Sequence, residues 1–151
     1  MLDFKDETPA LPSYEEDFAL WLDVQAALLR SGQFAQLDIE NLIGELQGMS
    51  SSQHRELMSR LVVLLKHLLK CQFQSRRKSR SWHSTIHEQR REIGALLETS
   101  PSLRHQFAEY SNKAYPHALK EAAHETGLPE NSFPRQLPYT LEKLLNADCL
   151  P

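Results

Sequence analysis

A chain of 151 residues with 40% apolar and 25% charged side chains is long enough for one domain with a sizeable core, and its make-up is ordinary for a soluble globular protein. A net charge of −3 excludes a global pull toward nucleic acid or membrane. The longest apolar run, Leu61–Leu65, stops at Lys66 and His67, far short of a membrane span.

Cys71 and Cys149 have no CxxC spacing, so they are expected as reduced thiols. Met1–Pro12 lacks the basic start and apolar run of a secretory signal, which points to a cytoplasmic protein. Residues 1–12 mix acids with Pro9 and Pro12 and are expected as an arm. Ser13 followed by Glu16 has the form of a capping box opening a first helix. Phe18, Trp21, Leu22, Gln25, Leu28 and Leu29 recur at helical spacing, and Gly32 closes the element. Asp38 caps a second helix, with Ile39, Leu42, Ile43 and Leu46 on one face; Gly48 and Ser50–Ser52 are expected to end it. A long central helix then runs from Gln53 to about Gln74, striped by Leu57, Leu61, Leu64, Leu65 and Leu68.

After a polar link at 75–80, a helix begins past Ser81 with Trp82, Ile86, Ile93, Leu96 and Leu97 inward. Ser100-Pro101 opens the next, which Pro116 is expected to kink or divide near Asn112. Gly127-Leu128-Pro129 ends that segment, and Tyr139–Asn146 forms a last short helix. No stretch alternates long enough for a strand. The expectation is an all-α, single-domain bundle of five to seven helices over residues 13–151.

Several segments carry a family pattern: YEEDFALWL at 14–22, ALLRSGQF at 27–34, LDIENLIGEL at 37–46 and LLKHLLKCQFQ at 64–74. SRSWHSTIHEQRREI at 79–93, SPSL at 100–103, ETGLP at 125–129 and LPYTLEKLL at 137–145 extend it. In these the chain resembles, over nearly its whole length, the bacterial family known as domain of unknown function twenty-nine. The resemblance implies a stand-alone helical protein of about this length and supplies no catalytic residue. Gly44 and Gln47 depart from the acids usual in that family, and Cys71 lies where an aromatic is usual nearby.

Charge is segregated. Arg55–Arg91 holds ten Lys or Arg against Glu56 and Glu88, leaving seven basic and eighteen acidic residues elsewhere. Lys66, Lys70, Arg76, Arg77, Lys78, Ser79, Arg80 and Ser81 form a candidate anion or partner site, where cations, hydroxyls and a helix start coincide. An acidic protein or nucleic acid is the partner such a patch suits; self-association against the acidic frame is a third reading. Pairing with acids of the first two helices is the bland alternative. His83 and His87, one turn apart, have metal-ligand spacing without an identifiable third ligand. Asp38, Glu40, Glu45 and Glu56 could in principle hold Mg²⁺ for phosphodiester cleavage, but only Asp38 and Glu45 share a helix face, and capping explains Asp38 without chemistry. Glycine-rich phosphate loops are absent, and no cofactor is expected. The sequence therefore points to a binding or adaptor module, with a metal-dependent enzyme acting on nucleic acid as the alternative.

Overall fold

The computed structural model describes residues 10–74 and 80–151. Among them, five α-helices follow one another and no strand occurs: α1 (Phe18–Arg30), α2 (Ile39–Phe73), α3 (Arg80–Thr99), α4 (Phe107–Thr126) and α5 (Leu141–Leu145). The all-α class and the long central helix are as expected. None of these helices is long and apolar enough to cross a membrane.

Five boundaries differ from the sequence reading. The second and third expected helices are one, α2, of 35 residues. Two glycines cost about 1 kcal/mol each against alanine, and serine less. Without a proline to remove a donor, the hydrogen-bond ladder runs through them. Ser13 does not open α1. Its Oγ accepts from the Glu16 N–H at 3.2 Å in a preceding turn, and Asp17 is the cap, Oδ1 taking the Leu20 N–H at 3.0 Å. Pro101 starts a 3₁₀ segment, Pro101–Gln106, which leads into α4 without a side-chain cap from Ser100. Pro116 leaves α4 undivided. The last helix is shorter than expected, capped by Thr140, whose Oγ1 accepts from the Lys143 N–H at 3.2 Å.

The chain divides into two compact units, residues 1–49 and 50–151. The second is built on the leucine stripe of α2. Leu57, Leu61, Leu64, Leu65 and Leu69 are fully buried, as are Ile86 and Ile93 of α3, and Ala114, Ala118 and Ala122 of α4; Phe133 and Leu144 join the same cluster. Each buried leucine contributes about 1.5–3 kcal/mol. The alanines give α4 a side with little side-chain bulk, so its backbone can pack near its neighbours.

Gly127 ends α4 in the left-handed region, at φ 72°, with its N–H on the Ala123 carbonyl. A Cβ there meets nothing within 4 Å, so the penalty for alanine is purely conformational. Gly127→Ala is expected to lower unfolding free energy by about 1 kcal/mol, read from chemical denaturation.

Candidate functional site

Lys66 and Lys70 of the expected anion site are engaged inside the second unit. Lys66 and Lys70, one turn apart on α2, meet Glu121 and Glu125, one turn apart on α4. Lys66 Nζ lies 3.0 Å from Glu121 and 2.9 Å from Glu125, and Lys70 Nζ lies 2.6 Å from Glu125. Their side chains are only 14% and 9% exposed. Lys70 Nζ also sits 4.5 Å from the centroid of the Trp82 ring. Burial opposes the charge of Lys66, yet Glu125 and Glu121 raise its pKa on balance. Burial likewise works against the Glu125 carboxylate, but hydrogen bonds from Lys70 and Lys66 hold its pKa at about 2.

Other cations of the stretch are committed too. Arg60 reaches Glu56 at 2.9 Å and Glu92 at 3.6 Å, and Arg91 takes Glu92 at 2.9 Å. Arg90 is buried among carbonyls. Arg80 and Ser81 open α3 at the surface, where the Ser81 carbonyl accepts from Thr85 Oγ1 at 2.9 Å. Arg76, Arg77, Lys78 and Ser79 lie outside the described residues.

His83 and His87 sit a turn apart on α3. His87 is exposed, whereas His83 Nε2 is buried without a hydrogen-bond partner among the described residues. No three His, Cys, Asp or Glu side chains gather as a metal-binding group among those residues. Three of the four carboxylates weighed for Mg²⁺ have other tasks. Asp38 accepts from Trp21 Nε1 at 3.0 Å and from Asn41 Nδ2 at 2.8 Å; these bonds, Asn41's foremost, outweigh desolvation and lower its pKa. Glu45 accepts from the Tyr14 hydroxyl, and Glu56 holds Arg60. Cys71 is buried in the α2 core.

The first unit holds a different surface. α1 and the start of α2 are tied by the Asp38–Trp21 bond and by Gln25, whose buried Oε1 accepts the Asp38 N–H at 2.8 Å. Tyr14, Phe18 and Trp21 form an aromatic group with centroids 4.9–5.9 Å apart. Around this small framework several apolar side chains are exposed. Ile39, Ile43 and Leu46, spaced i, i+4 and i+7 on α2, are 50%, 44% and 65% exposed, and Met49 continues them. Phe18, Leu22 and Leu29 form a comparable exposed row on α1. Residues 10–49 carry Glu15, Glu16, Asp17, Asp23, Asp38, Glu40 and Glu45 against Arg30 alone.

Sequence periodicity reveals the Ile39/Ile43/Leu46 row but not its exposure among the described residues, because spacing defines a face and says nothing of what packs on it. The Lys66/Lys70 pairing had a readable signal: two cations and two carboxylates, each pair at i, i+4 spacing on helices expected to pack.

No curated protein and no solved structure matches the chain. The model of one family, the domain of unknown function DUF29, matches residues 13–150. Since that match takes in both units and all five helices, the chain belongs to the DUF29 family.

Proposed function

We propose that this protein is a protein-binding module and that residues 10–49 receive a basic amphipathic helix of another protein. The observation that carries the reading is the exposed apolar row Ile39, Ile43, Leu46 and Met49 within a segment of seven carboxylates and one arginine. Exposed apolar side chains at helical spacing suit a helix-in-groove contact, and flanking acids select a partner whose apolar stripe is edged by Lys or Arg. A second copy of this same segment is a poor occupant, since it brings like charge against like. The expected contact of an acidic partner with the basic stretch has less support, because Lys66 and Lys70 are matched by Glu121 and Glu125. A metal-dependent enzyme would draw on Asp38 and Glu45, which Trp21, Asn41 and Tyr14 already engage.

The test uses a Leu/Lys heptad-repeat peptide as probe, titrated against the full chain by fluorescence anisotropy. A Leu/Glu peptide of the same apolar pattern is the control. Ile43→Asp with Leu46→Asp is expected to weaken the Leu/Lys peptide at least about tenfold, with fold stability changed by about 0.5 kcal/mol or less, because both positions are exposed. Binding should also weaken as salt rises. Equal binding of the two peptides, or an unaffected double variant, refutes the reading.

A further inference from the structure

We propose that the cleft between α4 and residues 130–137 binds a small amphipathic anion, an alkyl or aromatic body bearing a carboxylate or phosphate head. This cleft is separate from the surface of residues 10–49 and does not depend on it. Its volume is about 550 Å³, within the range of small-ligand sites. Tyr115, Pro116, Leu119 and Phe133 line its apolar side, and Lys120 and Arg135 supply the charge.

The wall is fixed in advance. The Tyr115 hydroxyl donates to the Pro134 carbonyl at 2.6 Å, fastening the loop to α4. Phe133 is 3% exposed and meets the Phe73 ring edge-on at 5.4 Å. Such anchoring reduces the ordering cost of binding. The cations are available. Lys66, Lys70, Arg60, Arg91 and Lys113 each have a carboxylate partner, whereas Lys120 and Arg135 have none among the described residues. Glu130 is the single acid on the cleft wall, so cations exceed acids there by two to one.

A second lobe of about 430 Å³ shares Tyr115, Pro116 and Arg135 with the first, placing Arg135 where the two meet. A guanidinium at that junction can hold a carboxylate or phosphate through two parallel bonds while the apolar body lies along Pro116 and Leu119. Pro116 adds one more polar feature. It has no N–H, so the carbonyl of Asn112, a residue that lines the second lobe, lacks its usual donor four residues on. That carbonyl can accept from a hydroxyl or amide on the ligand.

Octanoate, octyl phosphate and the neutral octanol serve as probes, titrated into the ¹⁵N-labelled full chain and followed by amide chemical shifts. Both anions are expected to move Leu119, Lys120 and Asn131 saturably, and the tighter of the two identifies the preferred head group. Octanol should bind at least about tenfold more weakly, since it forfeits charge-assisted bonds. Lys120→Glu with Arg135→Glu should weaken octanoate by a similar factor with unchanged circular dichroism, both side chains being exposed. Should that variant misfold, the octanol comparison on the native chain decides. Octanol matching octanoate, a folded charge-reversal variant that binds normally, or shifts confined to residues outside the cleft overturns the proposal.

Discussion

Glu125→Gln is expected to lower the unfolding free energy by about 2–3 kcal/mol at neutral pH, read from urea denaturation. The size follows from what the substitution strands. Removing one partner of a fully buried ion pair costs about 3–5 kcal/mol, because the other charge stays out of water uncompensated. Lys70 is nearly that deep, at 9% exposure, but Glu125 is 38% exposed, and solvent screens part of the attraction. Lys66 keeps Glu121 at 3.0 Å, and Lys70 keeps the Trp82 ring, a contact worth about 1 kcal/mol. Lys70→Met combined with Glu125→Leu should recover most of the loss, since it removes both desolvation penalties together. A change below about 0.5 kcal/mol for Glu125→Gln would mean the network is ornamental surface charge.

The same carboxylate sets a pH window. Its pKa is about 2 in the folded chain against an ordinary 4.5, so the unfolded chain binds its proton first as pH falls. The stabilisation is full above 4.5, diminishes below it and is gone once pH has passed about 2. The native chain should therefore lose its advantage over Glu125→Gln across that interval, and the two stability curves should converge at its acid end.

How much of this was legible before the structure depends on which interaction decides each feature. The leucine stripe of α2 reads directly, because burial repeats every three to four residues and the core uses that repeat. Gly127 reads directly too, since its left-handed conformation is a local demand. Gly48 and Ser50–Ser52 misled because propensity penalties are small beside an uninterrupted ladder supported by packing on one end. Charge misled in a different way. Counting cations between Arg55 and Arg91 treats them as one surface, yet Lys70, Arg90 and Arg80 differ from buried to exposed, and their partners lie 50 or more residues away in the first two cases. Composition sums charge; only the fold assigns each one a counterpart. Lys120 and Arg135 escaped notice for the mirror reason: each looks isolated in sequence, and the loop at 130–137 brings them to one cleft.

Arg90 gives the second large effect, where two opposing contributions must be weighed. Its Nε donates to the Leu144 carbonyl and its Nη2 to the Lys143 carbonyl, each at 2.9 Å, clasping the end of α5 from α3. Nη1 is buried with no hydrogen-bond partner among the described residues, and burial pushes the guanidinium pKa down. Arg90→Ala relieves that desolvation, which favours the variant. Against it stand two charge-assisted hydrogen bonds at about 1.5–3 kcal/mol each and the cavity left beside Leu144. The losses outweigh the gain, and a net destabilisation of about 2–3 kcal/mol is expected. Arg90→Met restores the packing without the bonds and should cost about 1 kcal/mol less. The location of the loss is the sharper prediction. A five-residue helix has no stability of its own, so amide protection in α5 depends on what holds it. Hydrogen exchange at Leu144 and Asn146, whose N–H groups bond Thr140 and Glu142 at 3.0 and 2.9 Å, should accelerate in Arg90→Ala well beyond that at Leu61 or Leu64. If exchange at Leu144 keeps its native rate, the burial of Leu144 alone secures α5, and the guanidinium is a tolerated charge that holds nothing in place.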